Sequence, residues 1–166
     1  MYKNCAEIYK SGETTDGVYT IKPDNLPAFD VFCDQTTDGG GWTVFQKRLH
    51  GSVDFFLNWS DYKVGFGDLC GEFWLGLDKI HRLTSDHNSI RPRVDLEDFE
   101  GNTAYAEYNR FGVMSEIDKY KLILGSYSGG SLRFYSLSCR NNTFLNSFSY
   151  AYKILWLKQQ LGLLKV

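Results

Sequence analysis

The chain has 166 residues, a length that suits one domain or one domain with a tail. Because 43% of its residues are hydrophobic and 16% are aromatic, it can bury a sizeable core. Its formal net charge of −2 argues against a broadly basic protein, and we expect no nucleic-acid partner. No apolar run is long enough to cross a bilayer, so a membrane location is not expected. The first five residues lack the apolar core of a secretory leader, which by itself favours a cytosolic chain.

The charge is unevenly distributed. Residues 1–125 hold 13 of the 18 basic residues and all 20 acidic ones, whereas residues 126–166 hold five basic residues and no acid. We interpret this shift as a change in the origin of the sequence or as a separate functional tail.

The N-terminal third is predicted to form short strands. Short alternating pieces follow Cys5, and residues 18–21 and 28–33 have the alternation of strands. Residues 34–41 form a turn whose Asp34 and Asp38 hint at calcium, but the other oxygen ligands of a calcium loop are missing. We therefore predict no metal site there.

Local signals also define the middle of the chain. Helices are predicted over residues 58–64, with Asn58 or Ser60 as N-cap and Gly65 as the end, and over residues 77–83. Strands are predicted at residues 42–48, 72–75 and 120–124, and a hairpin at 93–108 with its turn at 100–103.

Candidate catalytic groups do not assemble from the sequence, and we predict that the chain is not an enzyme. Asp95 and Glu97 fall on one face of a predicted strand, which favours a solvated face over an acid–base pair. A Cys70 nucleophile with His81 as base lacks a readable orienting residue or oxyanion motif.

Large rings and glycines are concentrated between residues 38 and 77, which predicts a packed aromatic centre. The block runs from Asp38-Gly-Gly-Gly-Trp42 to Gly71-Glu-Phe-Trp-Leu-Gly-Leu77. It resembles the central signature of the fibrinogen-like C-terminal domain family, which includes fibrinogen chain termini, ficolins, tenascins, angiopoietins and microfibril-associated glycoproteins. Residues 11–21, 31–34, 93–99 and 103–108 resemble the same family, and the ficolin-like, microfibril-associated and tenascin-like branch is the most similar.

The resemblance implies an α+β fold of antiparallel sheets with short helices. It divides residues 1–128 into a disulfide-closed subdomain at 5–37 and a central subdomain at 38–128, followed by a divergent basic tail at 129–166. The family's third subdomain, with its calcium site and ligand pocket, has no counterpart residues here, so no cofactor is expected in this chain and no ligand-binding residue can be named.

The same resemblance implies a disulfide between Cys5 and Cys33. Neither Cys70 nor Cys139 matches a family position, so they pair with each other, pair between chains or remain free thiols. Asn58 and Asn141 begin N-glycosylation sequons, which matter only in the secretory route.

By resemblance the function is extracellular, non-catalytic recognition: a secreted, lectin-like module that binds acetylated or carbohydrate ligands in innate immunity or the matrix. The alternatives are an adhesion module working through protein–protein contacts, or a truncated product without a ligand site. Oligomerisation through an upstream region is a further expectation. A fragment, a recombinant start or an incomplete gene model would reconcile the expected secretion with the missing leader.

The tail allows three interpretations. Residues 153–165 could form a short helix with Ile154, Leu157, Leu161 and Leu164 on one face. The first interpretation is that the tail is translated non-coding or frame-shifted sequence. The second is a core segment that covers an edge, and the third is a basic amphipathic helix that binds a membrane or a partner. Without a third subdomain, we expect a marginally stable or aggregation-prone chain.

Overall fold

A computed structural model describes residues 1–86, 89–98, 100–131 and 162–165. In this part of the chain, short helices accompany a nine-stranded sheet and a two-stranded sheet whose strand pairs are all antiparallel. The predicted α+β class is therefore confirmed.

The helices are α1 (Cys5–Lys10), α2 (Trp59–Val64) and α3 (Leu77–Leu83), with a 3-10 turn at Thr37–Gly39. The strands are β1 (Gly17–Ile21), β2 (Phe29–Asp34), β3 (Trp42–Arg48), β4 (Phe66–Gly67), β5 (Phe73–Trp74), β6 (Arg93–Glu97), β7 (Thr103–Tyr108), β8 (Phe111–Val113), β9 (Leu122–Leu124), β10 (Tyr127–Gly130) and β11 (Gly162–Lys165). The large sheet has the order β1-β2-β3-β11-β6-β7-β10, with β5 paired to β3 and β4, while β8 and β9 form the small sheet.

Strand β11 lies in the middle of the large sheet, between β3 and β6. Leu164 is opposite Gln46 on β3 and Val94 on β6, so β11 forms backbone ladders on both sides. The predicted helix over 153–165 is therefore wrong for residues 162–165; residues 153–161 lie outside the described residues. The free edges of β3 and β6 bind the backbone of this segment, and Gly162 has low helix propensity.

Helix α1 replaces the alternating pieces predicted after Cys5. The side chain of Asn4 accepts a hydrogen bond from the backbone N–H of Glu7, and Cys5 and Ile8 are buried on one face of the helix. An Asn followed three residues later by Glu is a helix-start pattern, and it is the signal that would have predicted this helix.

Several local predictions are confirmed. The bounds of β3 and α3 match the predicted strand at 42–48 and the predicted helix at 77–83. Helix α2 has Asn58 as its N-cap and Gly65 as its C-cap. Strands β8 and β10 were not predicted.

The aromatic centre is confirmed as part of the hydrophobic core. Phe45 stacks on Phe111 with ring centroids 5.3 Å apart and meets Trp74 edge-on at 6.1 Å. At the other end of the core, Cys5 and Cys33 form a fully buried disulfide that ties α1 to β2. Two rings of the block depart from this pattern, since Phe56 is 92% exposed and Trp59 is 39% exposed.

Candidate interaction surface

A buried lysine from β11 joins two carboxylates on different strands. Lys165 is 1% exposed, and its Nζ lies 2.6 Å from Asp34 Oδ2 and 2.8 Å from Asp95 Oδ2. The contact with Asp34 is a hydrogen bond, whereas the contact with Asp95 is ionic and does not have hydrogen-bond geometry. The Trp42 ring centroid lies 5.6 Å from the same ammonium group.

Arg93 extends this cluster along the sheet. Its guanidinium donates to Asp95 at 2.8 Å, to Glu107 at 2.7 Å and to Asp38 at 3.0 Å. Its flat face lies 3.9 Å from the Tyr105 ring centroid. The solvated face predicted for Asp95 and Glu97 holds for Glu97, which is exposed. It is wrong for Asp95, which is half-buried and whose two carboxylate oxygens face cations.

The electrostatics of Asp34 identify this cluster as structural. Burial alone would raise the pKa of the Asp34 carboxyl, but hydrogen bonds from Lys165 and Thr37 outweigh it and lower the pKa to about 2. A carboxylate held ionised in this way is a poor proton donor or acceptor near neutral pH. The cluster therefore anchors β11 and does not provide an acid–base pair.

A second buried carboxylate organises the loop after β3. Glu72 is 1% exposed and accepts hydrogen bonds from the backbone N–H groups of four residues in this loop. Those four donors are Leu49, His50, Gly51 and Val53. Burial would raise the pKa of Glu72, but these N–H groups together hold it well below its usual range.

Helix α2 is fixed at both ends. Asn58 and Asp61 form a reciprocal capping box at its start. At its end, Gly65 has φ +99°, and a Cβ there would lie 2.3 Å from the carbonyl oxygen of Leu75. The Trp74 indole also donates 2.8 Å to the carbonyl of Tyr62. These contacts fix both ends of the helix even though it is short.

The loop at residues 115–120 lies beside this helix. Lys63 Nζ is 2.6 Å from Glu116 Oε1, and the Trp59 ring centroid is 5.8 Å from that of Tyr120. Tyr120 is fully buried, and its hydroxyl donates to the Asp78 carboxylate. Burial and this carboxylate together raise the pKa of Tyr120.

Three exposed apolar side chains lie on α2 or in the loop at residues 115–120. Ile117 is 94% exposed, Val64 is 57% exposed and Trp59 is 39% exposed. We call these three residues the α2 surface. These residues were not predicted as a site from the sequence. The signal that could have predicted an exposed apolar position is the isoleucine within the polar run at residues 115–119.

The remaining predicted site residues do not converge on this surface. Cys70 is a free, exposed thiol, and His81 Nδ1 contacts the Val113 carbonyl at 2.8 Å. Within the described part of the chain, no hydrogen bond joins Cys70 to His81. Cys139 and Asn141 lie outside the described residues.

The family's calcium ion does not fit the residues at hand. Across residues 1–86, 89–98, 100–131 and 162–165, no three His, Cys, Asp or Glu side chains come together as metal ligands. Asp34 and Asp38 instead pair with Lys165 and Arg93. The sequence after residue 125 offers no carboxylate, so we derive no step through calcium. No helix within the described ranges is long and apolar enough to cross a membrane.

Comparison with known families identifies this fold. The family "Fibrinogen beta and gamma chains, C-terminal globular domain" matches residues 1–152. The chain belongs to this family. It is 53% identical over 133 residues to Fibrinogen C domain-containing protein 1 of Xenopus tropicalis, covering 76% of this chain and 29% of that protein. It is 46% identical over 129 residues to angiopoietin-related protein 7 of Mus musculus, covering 76% of this chain and 38% of that protein.

Solved structures agree with the sequence relatives. The fibrinogen-like globe domain of human ANGPTL2 superposes with a TM-score of 0.77 at 43% identity, covering 81% of this chain and 62% of that one. A lamprey fibrin D-dimer in complex with the peptide Gly-His-Arg-Pro-amide gives a TM-score of 0.75 at 37% identity, covering 84% of this chain and 45% of that one. The chain therefore has the fibrinogen-like fold and spans only about a third of its curated relatives' length.

Proposed function

We propose that this chain is an extracellular, non-catalytic recognition module that binds a protein partner through the α2 surface. The observation that carries this proposal is the exposure of Val64 at the end of α2, 57%, and of Ile117 in the loop beside it, 94%. Exposed apolar side chains next to a polar rim are typical of protein contact sites.

The polar groups around this surface favour a protein over a sugar. Lys63 is paired with Glu116, while Asp61 and Ser60 both interact with Asn58. A sugar ligand needs several free, directed hydrogen-bonding groups, whereas a protein partner can bury aliphatic side chains such as Val64 and Ile117. The lamprey fibrin structure contains a bound peptide, which supports a peptide or protein ligand by analogy.

Non-catalytic action and secretion belong to the same proposal. The relatives and structures named above carry no catalytic activity in their names. The relatives named also come from groups other than the ficolin-like, microfibril-associated and tenascin-like branch, whose assignment remains a prediction.

The test compares two surface variants with a matched control. The full chain and its Val64→Asp, Ile117→Asp and Val18→Asp variants are crosslinked to cell-surface and secreted proteins, with a full-length relative as reference. Val18 is 41% exposed on the edge strand β1. We expect one partner to be recovered with the parent and Val18→Asp and lost with the other two variants. Recovery of no partner, or equal recovery with all variants, overturns the proposal.

A calcium-dependent lectin is the second candidate, motivated by the family resemblance alone. It requires retention on an acetylated resin that a calcium chelator abolishes. We expect no such retention, because the residues described here do not form a calcium site. Calcium-dependent retention would replace our proposal with the lectin function.

A further inference from the structure

We propose that Asn58 carries an N-linked glycan and that the exposed Phe56 ring packs against its first sugar. This inference rests on the extracellular location in the proposed function, but not on the α2 surface. The sequence Asn58-Trp59-Ser60 is an N-glycosylation sequon, and Asn58 is exposed at the start of α2.

The hydrogen bonds of Asn58 leave its glycosylation atom free. Its Oδ1 accepts from the Asp61 backbone N–H at 3.2 Å and from the Ser60 hydroxyl at 2.6 Å. Both partners are donors, so the oxygen must face them and Nδ2 must face away. In the described part of the chain Nδ2 makes no hydrogen bond. A sugar on Nδ2 is therefore compatible with the helix cap.

The local backbone holds Phe56 outwards. Its N–H donates to Asp54 Oδ1 at 2.7 Å, and the Tyr62 hydroxyl donates to the preceding carbonyl of Phe55 at 2.7 Å. The Phe55 ring is packed edge-on against Phe66 with centroids 5.0 Å apart. Because Phe55 is locked inwards, Phe56 projects into solvent, where it is 92% exposed.

Phe56 lies two residues before Asn58, in the segment that leads into the start of α2. The face of an aromatic ring is electronegative and attracts the weakly positive C–H groups on the apolar face of a sugar. A glycan at Asn58 would thus cover a ring that the protein leaves in water. The Trp59 ring, which follows Asn58 in the sequence, packs on Tyr120.

The first experiment measures glycan mass. The full chain is expressed behind a cleavable secretory leader in a eukaryotic cell, with Asn141→Gln in every version to remove the second sequon. Three versions are compared: Asn58, Asn58→Asp and Ser60→Ala. Asn58→Asp keeps a capping oxygen while removing the attachment atom. We expect a mass loss on treatment with peptide N-glycosidase for the Asn58 version only.

The Asn58 site is overturned if treatment leaves the mass of the Asn58 version unchanged, as it leaves the masses of the two variants. Leader cleavage, read from the same mass spectra, shows that each chain reached the glycosylating compartment. A secreted chain without sugar thus overturns this inference and leaves the proposed function intact. A glycosylated chain that binds no protein partner overturns the proposed function and leaves the glycosylation site intact.

The second experiment tests the role of Phe56. The melting temperature is measured before and after enzymatic glycan removal for the parent, Phe56→Ser and the control Val18→Ser. We expect the glycan to raise the melting temperature by about 2 °C in the parent and in the control, and by less in Phe56→Ser. An equal gain in all three overturns the packing of the sugar on Phe56.

Discussion

At the scale of single residues, Lys165 determines how β11 sits in the sheet. A buried ion pair is weak evidence for stability in itself, because desolvation costs offset the Coulomb gain. It does specify position. A slip of β11 by one residue would turn the Lys165 side chain to the other face and leave Asp34 and Asp95 without their ammonium partner. We therefore assign Lys165 the role of fixing strand register.

Replacing Lys165 by Met should destabilise the fold strongly. The change keeps the length of the side chain but leaves the buried carboxylate of Asp34 unpaired, at a cost of about 3 kcal/mol. The matched control is Lys121→Met, since Lys121 is exposed and should change stability by less than about 0.5 kcal/mol. Denaturant unfolding followed by circular dichroism measures both. Equal unfolding midpoints for the two variants would show that Lys165 does not stabilise the sheet.

Low pH should destabilise the fold by protonating Asp34, the buried partner of Lys165. The pKa of Asp34 is about 2 in the folded chain, below the ordinary aspartate value of about 3.9. Its stabilisation is therefore complete above about pH 4 and is lost as the pH falls towards 2, amounting to about 2 kcal/mol. Glu72, whose pKa is also lowered, acts in the same direction. Unfolding free energy measured from pH 7 to pH 2 should fall in this window and fall less in Asp34→Asn; a flat profile would refute the assignment.

At the scale of elements, buried Glu72 holds the loop at residues 49–53 in place. In Glu72→Gln one acceptor oxygen becomes a donor that faces backbone N–H groups, so several hydrogen bonds are lost at a cost of about 2 kcal/mol. Amide hydrogen exchange should become faster at Leu49, His50, Gly51 and Val53. Glu97→Gln, at an exposed position on β6, is the control. Unchanged exchange in Glu72→Gln would show that other contacts hold the loop.

Elements whose bounds are set by residues nearby in the sequence could be predicted from the sequence. Asn58 and Gly65 bound α2 through local capping, and alternation together with the turn before Trp42 located β3. Strand β11 could not be predicted in this way. The partners Lys165 and Asp34 are 131 residues apart, and the pattern of leucines in the tail fits a helix until the open edges of β3 and β6 are known.

The candidate site was less predictable than the fold. Phe56 lies in a block of rings that contributes much of the core, so composition predicted burial where the structure shows 92% exposure. Ile117 lies in a loop that is closed by a hydrogen bond from the Tyr120 backbone N–H to the Ser115 carbonyl. Exposure of an apolar side chain is a tertiary property, and a single sequence carries little information about it.

At the scale of the whole molecule, one sheet joins the two ends of the chain. Strands β1 to β3 come from the N-terminal third and β6, β7 and β10 from the middle, and β11 connects these two groups. This arrangement covers the facing edges of β3 and β6. The expected marginal stability of the chain remains a prediction, and its outcome depends on how firmly β11 is held.

Residues 162–165 complete the large sheet, in which Trp74 on β5 donates to the Tyr62 carbonyl of α2. Hydrogen–deuterium exchange of the 166-residue chain, resolved to single amides, tests whether β11 is held in this position. We predict that amides in β11 exchange slowly, with protection comparable to that of their neighbours in β3 and β6. Exchange of β11 at the rate of an unstructured peptide, while β1 to β3 remain protected, would contradict the claim.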